Sequence, residues 1–255
     1  TWRPSSRSST TILNEIASYV PRRAILVGAS GYLGKAATPA VSDSTTTGTY
    51  YDVEFSGQKG YMVGTSALRL AFNPTTNVVG YSALAGTFPA GSTFRALHIF
   101  SNGSFITAGD AGRIYCYKTA WVSIPLPGGA TPVLRDVYFH DDRNGYAVGD
   151  AGAIYKCKAG ADVFSYVAPP PSNPWSALSL AGTNGAAAPN TINLTVIAFT
   201  DRYKGFIGGY ATSGTPINFA RTVNDESKLF TSRFWYDALG RMVLSQNTKQ
   251  YNRKN

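Results

Sequence analysis

The residues best suited to chemistry in this chain are two arginines, each upstream of the same four-residue turn. Arg95 opens the segment Arg-Ala-Leu-His-Ile-Phe and Arg135 opens Arg-Asp-Val-Tyr-Phe-His, and Gly-Asp-Ala-Gly follows both letter for letter, at 109–112 and 149–152. Two guanidiniums at equivalent positions are a means of gripping a carboxylate, because the planar fork donates parallel N–H bonds. The other reading of the pair is a salt bridge inherited with the repeat, for instance to Asp136. Glycoside chemistry would require in addition a nucleophile with a glutamate partner and an acidic proton donor. Glu15, Glu54 and Glu226 are the chain's three glutamates, and none accompanies a tyrosine toward one centre. Arg95, Arg135 and Asp136 are therefore expected to bind a ligand or partner, and no residue is assigned a catalytic role.

The remaining candidates are weaker. Ile25-Leu26-Val27-Gly28-Ala29-Ser30-Gly31-Tyr32-Leu33-Gly34 has the glycine spacing of a dinucleotide turn, which works only if a helix N-terminus follows to meet the pyrophosphate. Pro39 and the Ser/Thr-rich run after it do not sustain a helix, so no cofactor is expected. His98 and His140 lack a partner at metal-ligand spacing, and Asp141-Asp142-Arg143-Asn144-Gly145 lacks the alternating acids and distant glutamate of a calcium loop. No metal is expected either. Cys116 and Cys157, the two cysteines, follow their preceding anchor glycines by seven and eight residues, which predicts opposite sheet faces and no disulfide. Asn102-Gly103-Ser104 and Asn193-Leu194-Thr195 match the glycosylation sequon, a short pattern of low information.

Elements of one kind position all of these residues. The segment from Arg135 to Lys158 alternates apolar and polar residues, turns at Gly145, runs through Tyr146 and Val148, turns again at Gly149–Gly152 and resumes at Ile154. That is a three-stranded antiparallel unit. The pattern recurs at 95–118, 51–72, 196–222 and, most weakly, 24–36. Anchor glycines at 28, 64, 109, 149 and 209 are separated by 36, 45, 40 and 60 residues. The first three intervals fit four strands per repeat, with outer strands expected at Val79–Tyr81, Trp121–Ser123 and Phe164–Tyr166. The last interval requires an insertion, supplied by the Pro- and Ala/Gly-rich stretch 160–193.

These units resemble the repeats of the photosystem II assembly factor and of BNR, sialidase-like propellers, through Val137, Phe139, Gly145, Tyr146, Ala147, Val148, Gly149, Gly152 and Ile154. The resemblance implies an all-β fold, a β-propeller of about five four-stranded blades with more blades possible upstream. After Asp225 the pattern changes. Tyr236, Asp237, Gly240 and Arg241 resemble a YD repeat of the RHS family, with Met242 where leucine is usual, and that resemblance implies the start of a large shell. A plain terminal hairpin is the other reading of the same residues. The expected organisation is an outer strand and linker over 1–14, with Trp2 completing either the last blade or one upstream, a propeller over 15–227, and an RHS-like region over 228–255.

Charge and hydropathy restrict the partners. The net charge of +9 is concentrated at the ends: residues 1–35 carry five cations against Glu15, residues 228–255 carry six against Asp237, and the body between is neutral. A neutral body without aromatics interleaved among cations argues against nucleic acid. No apolar run is long enough to span a membrane as a helix. The expectation is a non-catalytic recognition or structural module of a larger secreted or cell-surface bacterial protein of RHS type, some of which enclose toxins. Its partner would be a protein or the rest of its own polypeptide, with a glycan as an alternative ligand. Two other readings stand beside this one, a glycan-processing propeller and a free-standing assembly factor.

Overall fold

A computed structural model describes residues 12–21, 23–36, 41–45, 48–76, 78–87, 89–159, 163–165, 173–178, 192–201, 204–211, 218–223, 232–236 and 242–247. Trp2, Asp237, Gly240, Arg241 and most of the 160–193 insertion lie outside these. The chain divides into two compact units, Thr1–Leu84 and Ala85–Asn255.

The first unit holds two four-stranded sheets. The first sheet runs β1 (Leu13–Val20), β2 (Arg23–Gly28), β3 (Tyr32–Ala36), β4 (Val41–Thr45), and the second β5 (Tyr50–Ser56), β6 (Lys59–Gly64), β7 (Ala67–Asn73), β8 (Val78–Ala83). All pairs are antiparallel and consecutive. In the second unit the third sheet comprises β9 (Phe94–Ile99), β10 (Phe105–Gly109), β11 (Ile114–Tyr117) and β12 (Trp121–Ile124). The fourth comprises β13 (Leu134–Phe139), β14 (Asn144–Gly149), β15 (Ile154–Lys158) and β16 (Trp175–Leu178). The fifth is β17 (Ile192–Asp201), β18 (Lys204–Ala211) and β19 (Asn218–Val223), and a hairpin, β20 (Ser232–Tyr236) with β21 (Met242–Asn247), follows it.

Two expectations are corrected here. Four sheets, not five, have four strands; the repeat at 196–222 is three-stranded among the described residues. The outer strand of the fourth sheet is Trp175–Leu178 rather than Phe164–Tyr166. Val163–Ser165 forms a 3-10 turn whose Val163 N–H donates to Asp142 O, and Phe164 packs edge-to-face on Phe100. The short aromatic run fills the core from a turn, and Trp175, paired with Cys157, occupies the strand position. Tyr236 ends β20 opposite Met242, so the start of the YD-like motif lies on a hairpin.

The repeat glycines have a common reason. At Gly28, Gly64, Gly109, Gly149 and Gly209 an added Cβ would overlap a backbone carbonyl oxygen just before or at the start of the sheet's first strand: those of Ile12, Thr49, Thr93, Val133 and Asn193. Next to each glycine the first strand bulges by one residue, at Asn14, Tyr51, Arg95, Arg135 and Thr195. Close approach, not a left-handed conformation, requires glycine there: the backbone at Gly149 is extended, with φ −168.

Apolar layers between sheets form the cores, always front to back. In the first unit Ala17, Tyr19, Ile25, Val27 and Leu33 of the first sheet pack on Val53, Met62 and Leu70 of the second. In the second unit Ile106, Ala108, Ile114 and Cys116 of the third sheet meet Val137, Phe139, Ala147, Tyr155 and Cys157 of the fourth. The other face of the fourth sheet, with Tyr138, Tyr146, Val148 and Ile154, meets Leu194, Ile197, Phe199 and Ile207 of the fifth. Each large side chain so buried contributes about 1.5–3 kcal/mol, against roughly 0–1 kcal/mol for a solvent-exposed ion pair, so these layers hold the sheets together.

Candidate functional site

The bulge next to each anchor glycine sets one position of the first strand beside the turn that follows the second. Register equates Asn14, Tyr51, Arg95, Arg135 and Thr195 on the first strands, and Ala29, Thr65, Asp110, Asp150 and Tyr210 in the turns. Arginine and aspartate occur together at these two positions only in the third and fourth sheets.

In both sheets they form the same clasp. Arg95 donates Nε to Asp110 Oδ1 at 2.5 Å and Nη2 to Oδ2 at 3.2 Å. Arg135 donates Nε to Asp150 Oδ1, and Nη2 to Oδ2 at 2.9 Å. The four side chains are between 27% and 35% exposed, so each pair sits at the surface with one edge open to solvent. The Arg135 guanidinium is held more firmly protonated than usual, first by its hydrogen bond to Asp150, with burial opposing; the charge of Asp150, Tyr210 and Asp110 adds to the effect. Along this end of the second unit Asp110, Arg135, Asp150 and Tyr210 are thus electrostatic neighbours, and Tyr210 is 44% exposed.

The turn that carries each aspartate is a single 3-10 turn, Asp110–Gly112 or Asp150–Gly152. Its central alanine is left-handed, with φ 57 at Ala111 and 55 at Ala151. Ala151 N–H donates to Asn193 Oδ1 of the fifth sheet at 3.2 Å, which ties the turn to the neighbouring sheet.

The carboxylates in these two clasps are Asp110 and Asp150, whereas Asp136, weighed from the sequence as the salt-bridge partner, links two sheets. Its Oδ1 accepts from Val137 N and its Oδ2 from Ile197 N of the fifth sheet. Asp110 and Asp150 were the residues that sequence reasoning left unassigned. The signal for them was present: an arginine stands fifteen residues ahead of the Gly-Asp-Ala-Gly aspartate in both copies, and neither residue occurs at these positions in the other three repeats.

The other sequence candidates have structural roles. Gly28 to Gly31 close a 3-10 turn between β2 and β3, and no helix follows to face a phosphate. Asp141 Oδ1 accepts from Arg143 N, Asn144 N and Asn144 Nδ2, an Asx turn that uses the carboxylate internally. Asn102 Oδ1 accepts from both N and Oγ of Ser104. Cys116 and Cys157 are free thiols that share one apolar layer between the third and fourth sheets. Opposite faces of adjacent front-to-back sheets are facing faces, so the offset in the repeat brought the cysteines to one layer rather than apart. Burial, with a smaller effect of Asp141, pushes the Cys157 thiol up to about 12 against a hydrogen bond at Ala159 that lowers it. His98 lies against Phe100, Tyr138 and Phe139. Among the described residues no three His, Cys, Asp or Glu side chains gather as a metal site, and no helix is long and apolar enough to cross a membrane.

No protein-family model matches the sequence, and no curated protein matches it. Solved structures do. Sqt1 of Saccharomyces cerevisiae is 10% identical with a TM-score of 0.58, over 94% of this chain and 76% of that one. The WD40 β-propeller domain of Doa1 is 8% identical with a TM-score of 0.54, over 94% and 83%. The fold is a β-propeller. YCF48 bound to D1 peptide is also similar, at 13% identity and a TM-score of 0.48, over 89% of this chain and 85% of that one. At these identities the likeness is one of fold, and the propeller's clasped end has to be read from its own residues.

Proposed function

We propose that this propeller is a non-catalytic recognition module that binds a protein partner at the end marked by Arg95–Asp110 and Arg135–Asp150, within a larger secreted or cell-surface protein of RHS type. The observation that carries the reading is the clasp. A propeller that captured an anionic sugar would offer unpaired guanidiniums, whereas both arginines here already hold a carboxylate in bidentate geometry. What the clasps leave at the surface is alternating, nearly neutral charge beside an exposed tyrosine, and such a surface suits a polar peptide or protein face. The YD-like residues Tyr236, Asp237, Gly240 and Arg241 directly after the last sheet support the RHS context.

Two assays test this together. Selection of the chain against a peptide display library should return peptides whose binding is lost in the Arg95→Ala/Arg135→Ala double variant. A fluorogenic sialoside and a glycan array should show neither turnover nor retention; activity on either that the same double variant abolishes would establish the glycan reading instead. The larger-protein part is tested by the intact mass of the native polypeptide, where a value at 27.2 kDa overturns it.

A further inference from the structure

Asn102 lies exposed in the turn between β9 and β10, and Gly103 follows it. Gly103 N–H donates to Phe100 O at 2.8 Å, and Phe100 N–H donates to Ser104 O at 2.8 Å, so the turn is closed by its own backbone. Gly103 has φ 80, a conformation that glycine adopts without strain. The Asn102 side chain folds forward over this turn: Oδ1 accepts from Ser104 N at 2.8 Å and from Ser104 Oγ at 2.5 Å. The first of these bonds closes a ring that contains both the amide carbon Cγ and the nitrogen of Gly103, which holds the two on one side. Both donors sit on the oxygen that gains negative charge when that nitrogen adds to Cγ.

Other asparagines meet one of these conditions without the other. Asn73 and Asn173 make similar turns, with Oδ1 accepting from Thr75 N and from Trp175 N, but a proline follows each, and its nitrogen carries no proton to lose. Asn144 does precede a glycine, but it is held in the sheet opposite Lys158, and its Nδ2 donates to both carboxylate oxygens of Asp141. A carboxylate on the amide nitrogen makes the amide carbon less electrophilic and opposes negative charge at its oxygen. Gly145 is fixed besides by pairing with Phe139 on one side and Cys157 on the other.

We infer that Asn102 is a site of spontaneous modification, at which the Gly103 backbone nitrogen displaces ammonia from the side-chain amide and water opens the cyclic imide that results. Gly103 N gives its proton to a solvent base and bonds to Cγ; the Cγ–Nδ2 bond breaks, and Nδ2 leaves as ammonia with a proton from water. Water then adds to either imide carbonyl. Opening at Cγ leaves an aspartate at position 102, and opening at the main-chain carbonyl leaves an isoaspartate, whose chain runs through Cβ. The aspartate still offers an acceptor to both Ser104 donors, so the turn is kept and gains a negative charge. That charge appears beyond Ile99, at the end of β9 away from Arg95, and leaves the clasp with Asp110 intact.

Peptide mapping of the full chain tests the proposal. The folded chain is incubated at about pH 7.5 and about pH 9, digested with trypsin and read by mass spectrometry beside an unincubated sample. Cleavage after lysine and arginine gives fragments 96–113 and 144–156, in which Asn102 and Asn144 are the single side-chain amides. The first fragment is expected to show the mass change of ammonia replaced by water, in two chromatographic forms, at least about tenfold faster than the second, and faster at the higher pH. In the chain unfolded in guanidinium the two rates should converge, because both sites are then plain Asn-Gly, with Asn102 no faster than in the folded chain. Ser104→Ala, confirmed as folded by circular dichroism, should slow the change at Asn102 about fivefold, the effect of one hydrogen bond. Equal rates at Asn102 and Asn144 in the folded wild type overturn the proposal, and this comparison stands alone if the variant melts. Faster reaction of Asn102 in the unfolded chain than in the folded one overturns it too, as does a folded Ser104→Ala variant that reacts at the wild-type rate.

Discussion

Asp136 reaches from the fourth sheet to the fifth and accepts the backbone N–H of Ile197 through Oδ2 at 2.7 Å, while its Oδ1 accepts the N–H of Val137 at 2.8 Å. One carboxylate thereby satisfies a donor on its own strand, beside the bulge next to Leu134, and a donor on the first strand of the neighbouring sheet. The link is polar, but it lies beside the apolar layer of Tyr146, Val148, Ile197 and Ile207, where an unsatisfied N–H has little access to water.

Asp136→Ala is therefore expected to destabilise the second unit by about 1–3 kcal/mol, the cost of stranding a buried donor together with a charge-assisted bond. Asp136→Asn keeps an acceptor and should recover part of the loss. Urea unfolding followed by tryptophan fluorescence measures both. Equal stability of the alanine variant and the wild type would remove Asp136 from the inter-sheet contact.

Gly149 and Ala151 make opposite predictions although they are two residues apart. A methyl group at Gly149 overlaps Val133 O in an extended backbone that any residue adopts, so Gly149→Ala should cost at least about 2 kcal/mol by forcing the bulge open. Ala151 sits at φ 55, where a side chain is strained, so Ala151→Gly should stabilise by up to about 1 kcal/mol. Thermal melts of the two variants should shift in opposite directions; a shift of the same sign in both would contradict the assignment.

Much of this architecture was legible because a repeat compares a sequence with itself. The glycines at 28, 64, 109, 149 and 209 marked five sheets, and Val79–Tyr81 and Trp121–Ser123 correctly indicated outer strands, because alternation and turn chemistry are local. The outer strand of the fourth sheet was not legible. It lies across an insertion from β15, and Phe164 looks as much like a strand residue as Trp175 does until the Phe100 contact is known. The partners of Arg95 and Arg135 were missed because Asp136, next to Arg135 in sequence, is the nearer carboxylate, whereas Asp110 and Asp150 lie fifteen residues on and come back to the arginines only through the pairing of the first two strands. The layer shared by Cys116 and Cys157 was missed for a related reason: face parity within one sheet does not say which faces of two sheets meet.

That shared layer predicts the behaviour of the thiols. Cys116 and Cys157 are 1% and 0% exposed, so neither sulfur is accessible to a reagent, and burial pushes the Cys157 thiol up to about 12, which keeps it protonated at pH 8. The native chain should react with a disulfide reagent such as DTNB at well under one equivalent over an hour or so, and with two equivalents once unfolded in guanidinium. A rapid first equivalent in the native state would show that the layer between the third and fourth sheets opens readily.

His98 gives this unit a dependence on acid whose sign follows from its surroundings. Burial against Phe100, Tyr138 and Phe139, with a smaller effect of His140, lowers its pKa from 6.5 to about 4. The folded state therefore resists a proton that the unfolded chain accepts. Between the two values the unfolded state binds more protons, so stability is fully present above pH 6.5 and falls as the pH drops toward 4, by on the order of 3 kcal/mol. Below the lower value both states are protonated and this contribution to the slope ends. His98→Gln removes the titration while keeping a polar side chain, so its denaturation midpoint should vary less with pH across that window, whatever the substitution does to the midpoint at pH 7. A pH slope in the variant equal to that of the wild type would place the acid sensitivity elsewhere.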